Sequence, residues 1–127
     1  MQNKSMQRTN DLLARTKQFA LAAIRFCETL PKDETSRVLG RQLLRSGTSV
    51  GANYRAADRA KSKADFISKM GTVLEEADES AYWIELLSET GKIASDKATS
   101  LHQEAIELVA IAISSINTAK RNSALQR

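Results

Sequence analysis

Five arginines, Arg37, Arg41, Arg45, Arg55 and Arg59, are the residues of this chain whose type and spacing could do chemistry. At 100° per residue they fall within about 80° of one another around a helix, and Thr48 and Ala52 fill the gap in the row. Guanidinium groups aligned in this way offer paired donors to phosphate oxygens, and counterion release would drive the binding. A second reading stays open. Glu75, Glu76, Asp78, Glu79, Glu85 and Glu89 supply carboxylates that could meet the same arginines, within one subunit or across an interface. Tyr54 is the one aromatic near the row. Stacking recognition of single-stranded bases is therefore not expected, and a surface that reads the backbone of RNA or DNA fits better.

The remaining candidates for chemistry are weak. His102 is the only histidine, so neither a Glu-x-x-His pair for two irons nor a His-rich zinc site can be built. Cys27 is the only cysteine, which excludes an intramolecular disulfide and reads as a small buried apolar residue. Glu75 and Glu76 are adjacent and point about 100° apart on a helix, a poor acid–base pair. Gly47 and Gly51 lack the lysine and the preceding strand of a phosphate-binding loop. The expectation is a protein without catalytic residues, metal or cofactor, and not an enzyme.

What must position the arginines is helix. The chain has 127 residues with one proline and five glycines, and aromatics make up only 5%. Such a composition favours closely packed helices around an aliphatic, alanine-rich core within one domain, residues 1–127. The formal charge is +4, unevenly spread: residues 61–91 carry three basic and seven acidic groups, while the segments on either side are basic. Part of that charge is expected to be spent within the protein or its oligomer. No apolar run approaches the ~20 residues of a membrane span, and the first residues lack a secretory apolar stretch, so a cytoplasmic location without membrane contact is expected.

Apolar periodicity divides the chain into helices at about 9–30, 36–59, 62–90 and 95–120, with frayed ends. The first has caps in Thr9, Asn10 and Asp11, a stripe of Leu12, Phe19, Ala23, Phe26 and Leu30, and a stop at Pro31. The second is expected to be capped by Thr35 or Ser36 and to run unbroken through Gly47 and Gly51, whose small size permits a close neighbour. Asn53 beside its stripe reads as a buried register or capping group. The third carries Phe66, Met70, Val73, Ala77, Ser80, Ile84 and Leu87 in steps of four and three. Ser62 is its expected cap and Gly91 its terminator. Short connections between long helices make an antiparallel, up-down-up-down four-helix bundle.

Trp83 lies about 100° from Phe66 around the third helix, beyond the edge of the core stripe. With Tyr82 and Leu86 it is a candidate interface anchor, since large aromatics dominate contact energetics. Ile111 belongs to the same expectation, because the fourth helix, with Ile106, Val109, Ile111 and Ile113, is wider in apolar surface than one core stripe requires. The partner expected there is a further copy of the chain.

Several blocks carry a resemblance. These are Arg45-Ser46-Gly47-Thr48-Ser49-Val50-Gly51-Ala52-Asn53-Tyr54-Arg55, Ser62-Lys63-Ala64-Asp65-Phe66 and Glu75-Glu76-Ala77-Asp78-Glu79. Tyr82-Trp83-Ile84-Glu85-Leu86-Leu87 and Ser114-Ser115-Ile116-Asn117-Thr118-Ala119-Lys120 continue it. In order and spacing they resemble the four helix bundle proteins also known as 23S rRNA intervening-sequence proteins, over nearly the whole chain. Other members often read Ile-Pro-Ala-Asn-Ile-Ala-Glu-Gly where this chain has Val50-Gly51-Ala52-Asn53-Tyr54-Arg55-Ala56-Ala57, which places it in a Gly-Ala-Asn-Tyr-Arg branch. The resemblance implies a small cytoplasmic bacterial bundle that assembles into homopentameric rings. It lends no catalytic residues. Related bundles that accompany retroelement reverse transcriptases imply nucleic acid as a partner class. The alternative is a protein-interaction scaffold whose arginines are used in subunit or partner salt bridges.

Overall fold

Asp33 starts the helix that carries the arginines. Its backbone is extended, and its carboxylate accepts the Ser36 N–H at 2.9 Å and the Ser36 hydroxyl at 3.0 Å. The cap expected at Thr35 or Ser36 therefore lies earlier in the chain, because a carboxylate is the stronger acceptor for the free N–H groups of a first turn. These hydrogen bonds, the Ser36 N–H first, hold the Asp33 carboxyl below its ordinary value.

The computed structural model describes the backbone of residues 4–125 and the side chains of residues 11–122. Four helices follow one another: α1 (Lys4–Glu28), α2 (Glu34–Asp58), α3 (Lys63–Glu89) and α4 (Ser95–Leu125). Among the described residues there is no strand. α1 passes through Thr9, Asn10 and Asp11 instead of being capped by them, since no glycine or proline precedes them to break the helix. α4 likewise continues past residue 120 to Leu125. The outermost ends expected to fray, residues 1–3 and 126–127, lie outside the described residues.

Ser62 caps α3 as its position suggests, accepting the Asp65 N–H at 3.0 Å. Gly91 ends it. With φ at 75° it occupies the left-handed region that a side chain would oppose. The chain then folds back so that Lys92 N–H reaches the Leu87 carbonyl at 2.9 Å and Gly91 N–H the Ser88 carbonyl at 3.1 Å.

All four helices contribute to one core. Phe19, Leu43, Met70, Ile84 and Leu87 are almost completely withdrawn from solvent, and Leu101, Ala105, Leu108 and Ala112 close it from α4. Each large side chain so buried contributes roughly 1.5–3 kcal/mol. Thr16 completes the α1 stripe between Leu12 and Phe19. It is tolerated there because its hydroxyl donates to the Leu12 carbonyl at 2.7 Å.

α2 is continuous through its glycines, and they are where α1 comes nearest. A Cβ placed on Gly40 would lie 2.8 Å from Leu30 Cδ1, one on Gly47 would lie 2.9 Å from Ala23 Cβ, and one on Gly51 would lie 3.3 Å from the Thr16 carbonyl oxygen. α2 packs on its other side against α3, where the buried hydroxyls of Ser46 and Ser80 meet at 2.8 Å. Among the described residues Asn53 makes no hydrogen bond to another helix. It is half-buried, and its amide donates to the Ser49 carbonyl of its own helix at 2.8 Å.

Candidate nucleic-acid interface

The core stripe of α2 (Leu43, Ser46, Val50, Tyr54, Ala57) fixes which way the rest of the helix points. Residues on the opposite side must face outward, and Arg37, Arg41, Arg45, Arg55 and Arg59 are all exposed. Their surroundings divide them into two sets. Arg37 is held by Glu34 at 2.6 Å, one turn back on the same helix. Arg45 reaches across to α3, pairing with Glu76 at 3.2 Å and also with Glu79. Arg41, Arg55 and Arg59 have no side-chain ion pair or hydrogen bond among the described residues.

The expected carboxylate partners divide in the same way. Glu76 and Glu79 meet an arginine, and it is the one arginine, Arg45. Glu85 turns the other way, 2.8 Å from Nε2 of His102 on α4. Glu75, Asp78 and Glu89 are exposed and without an ion pair among the described residues. Surface ion pairs of this kind contribute only roughly 0–1 kcal/mol to stability, but with two carboxylates beside it Arg45 has no surplus charge.

Small side chains, Thr48 and Ala52, occupy the outer line of α2 between Arg45 and Arg55. The Tyr54 ring is only 5% exposed and belongs to the core, so no base could stack on it. Beyond the end of α2, Lys61 is exposed and extends the basic line.

A larger ion-pair cluster had no signal in the sequence. Arg15 of α1 grips Glu104 through two hydrogen bonds at 2.7 and 2.8 Å and takes Glu107 at 2.8 Å, joining α1 to α4. These bonds, that to Glu104 foremost, raise the Arg15 guanidinium further above its already high value, and Arg15 in turn holds the Glu107 carboxyl low. The i, i+3 spacing of Glu104 and Glu107 puts them on one face, but nothing local says that Arg15 would oppose them.

The interface candidates are only partly brought together. Tyr82 is 52% exposed and stands edge-on to Trp83, with ring centroids 5.1 Å apart. Trp83 and Leu86 are half-buried, and the indole Nε1 is buried without a hydrogen-bond partner among the described residues. Ile111 sits apart from them. It packs against the core and lines a groove of about 900 Å³ with Leu12, Arg15 and Phe66. On α4 the exposed isoleucines are Ile106 and Ile113.

Cys27 is half-buried, its thiol donating to the Gly40 carbonyl at 3.3 Å, and burial pushes its pKa up to about 11. Among the described residues no three His, Cys, Asp or Glu side chains gather as metal ligands. No helix among them is long and apolar enough to cross a membrane.

Three comparisons bear on this architecture. Residues 8–114 match the family model described as 23S rRNA-intervening sequence protein. No curated protein matches the chain. A solved structure, described as a protein with unknown function from the S23 ribosomal protein family of Bacteroides thetaiotaomicron VPI-5482, is 37% identical over 83% of this chain and 97% of that one, with a TM-score of 0.77. The blocks quoted from Arg45 to Phe66, the helix they form and the arginines they expose thus sit inside a matched family region, and the chain belongs to the 23S rRNA-intervening sequence protein family.

Proposed function

We propose that this protein is a non-enzymatic, cytoplasmic, homo-oligomeric four-helix bundle that holds the sugar–phosphate backbone of RNA on the outer arginines of α2. The observation that carries the reading is that Arg41, Arg55 and the C-cap residue Arg59 stand along the outer side of α2 with no carboxylate paired to them among the described residues. Exposed arginines left unpaired beside an acidic neighbouring helix are available to an anion from outside. DNA offers the same phosphates and is the second choice of ligand.

The up-down-up-down arrangement is part of the proposal. Its support is that Leu30 just beyond α1, then Ala23 and Thr16 of α1, meet Gly40, Gly47 and Gly51 of α2 in falling order, and that only residues 29–33, 59–62 and 90–94 connect the helices. Assembly with further copies, in the ring of five that the resemblance implies, has support of its own. Gly71 lies in the middle of α3, where a glycine costs about 1 kcal/mol against alanine, yet a Cβ there would meet nothing within 4 Å. On α3 it shares an outward line with Glu75, Asp78 and Tyr82, and the neighbouring α4 exposes Ile106 and Ile113. An open glycine beside exposed apolar side chains and unpaired carboxylates suits close approach of a basic partner. A second copy of this chain, net basic in the segments on either side of residues 61–91, is such a partner.

A second reading, the protein-interaction scaffold, is favoured by Arg45, which already spends its charge on Glu76 and Glu79. Titrating labelled structured RNA across a salt series, with mass measured in the same buffers, separates the two. Binding that weakens log-linearly with salt supports the RNA reading. An intact oligomer that binds no RNA at low salt leaves the scaffold.

A further inference from the structure

The α2 line is not one continuous strip of charge. Arg37 and Arg45 are paired with carboxylates, so the available cations stand in two groups: Arg41 at one end, and Arg55 with Arg59 at the other, where exposed Lys61 adds to them. At 1.5 Å per residue the groups are about 21 Å apart along the helix, while Arg55 and Arg59 are only about 6 Å apart. Between them lie Thr48 and Ala52, which carry no charge, and Arg45, which is occupied.

Such a pattern suits one form of nucleic acid poorly and another well. Proteins that track a single strand use a continuous basic groove with aromatic faces for the bases. Here the surface is the convex outside of a helix, the charge is interrupted, and the nearest aromatic ring, Tyr54, is buried. A double helix instead presents two rows of phosphates on the banks of a groove. Double-stranded RNA in particular shows a wide, shallow minor groove. Two cationic ends with a small, neutral middle can straddle a groove, each end on its own phosphate row.

We infer that the α2 surface takes double-stranded RNA, with Arg41 on one phosphate row and Arg55 and Arg59 on another. This rests on the RNA reading above and narrows it to the duplex form. Both ends are required, and Arg37 and Arg45 contribute little.

The test uses a 16-base-pair RNA duplex of mixed sequence and one of its strands, chosen not to pair with itself. Binding of each is measured across a salt series with the wild type and with Arg41→Gln, Arg45→Gln and the double variant Arg55→Gln/Arg59→Gln. The expected result is that the duplex binds more tightly than the strand. Its log–log salt slope is about −2.7 for each subunit engaged, from three phosphates at about 0.9 each. Arg41→Gln should reduce that slope by about 0.9 and the double variant by about 1.8, each removing the preference for duplex, while Arg45→Gln leaves both unchanged. A strand that binds as well as the duplex, with Arg45→Gln as damaging as Arg41→Gln, overturns the two-ended arrangement and leaves RNA binding standing. If neither form binds an intact assembly, the RNA reading itself fails, and the duplex inference with it.

Discussion

The same substitution, glycine to alanine, should have opposite effects at two positions of this fold. At Gly71 a methyl group would meet nothing within 4 Å in its own subunit, so for the fold of the subunit Gly71→Ala gains only helix propensity, about 1 kcal/mol. At Gly47 the new Cβ would lie 2.9 Å from Ala23 Cβ, where carbon atoms prefer roughly 3.5–4.0 Å. Neither atom is the end of a flexible side chain, so α1 and α2 must separate by about 0.6–1 Å to relieve the overlap. That separation loosens Phe19, whose ring lies 3.8 Å from the same point. Overpacking of this kind costs about 1–3 kcal/mol, which cancels or exceeds the propensity gain. Guanidinium denaturation of each variant, at two protein concentrations so that assembly is seen separately, gives both free energies. Gly71→Ala should raise the midpoint and Gly47→Ala should leave it unchanged or lower it by up to about 2 kcal/mol. Equal stabilisation at both positions would mean that α1 and α2 are not in contact at Gly47. The larger Gly71→Leu should leave the subunit folded and weaken assembly, and an assembly that tolerates it removes Gly71 from the interface.

The buried hydroxyls of Ser46 and Ser80 should behave as a unit: Ser80→Ala removes the 2.8 Å partner of Ser46, whose hydroxyl keeps the Leu43 carbonyl at 3.3 Å, and should cost about 0.5–1.5 kcal/mol, whereas Ser46→Ala/Ser80→Ala should cost less than the two single changes added, as a denaturation cycle would show. Acid should weaken the fold in a defined window. Asp33, Asp65 and Glu107 all have lowered carboxyl pKa values, so their contributions are complete above the ordinary values of 3.8 and 4.5 and are lost as pH falls through the lower folded values. A midpoint of denaturation that stays flat from pH 5 to pH 2 would contradict this. Cys27, with its pKa pushed up to about 11, should alkylate far more slowly in the folded protein than in denaturant at pH 8, and equal rates would show the thiol to be open.

Much of the fold was legible because helical periodicity is a strong signal over long segments. The α3 stripe from Met70 to Leu87 is buried as its spacing indicates, and α2 runs through Gly47 and Gly51 against α1. The ends were less legible. Thr9–Asp11 resemble a cap, yet a helix continues through any sequence that does not break it, and cap chemistry alone does not distinguish Asp33 from Thr35. At the candidate interface the arginine line was readable, because exposure follows from facing away from a core stripe. Which arginines are neutralised was not. That depends on where α3 places Glu76 and Glu79, and on Glu85 turning to His102, all of which are set by tertiary packing. Arg15 with Glu104 and Glu107 was invisible for the same reason, being almost ninety positions apart in the chain. Ile111 looked no different in sequence from Ile106 and Ile113; the rotation of α4 against α1 sends the first to the core and the others to the surface.

If Arg41, Arg55 and Arg59 hold RNA, reversing their charge must abolish binding without disturbing the fold. All three are replaced with glutamate, and RNA binding and assembled mass are measured side by side. The triple variant should keep its helix content and its mass but no longer bind RNA at low salt. A variant that loses its mass would place these arginines in subunit contacts, and one that binds RNA as the wild type does would remove them from the binding surface altogether.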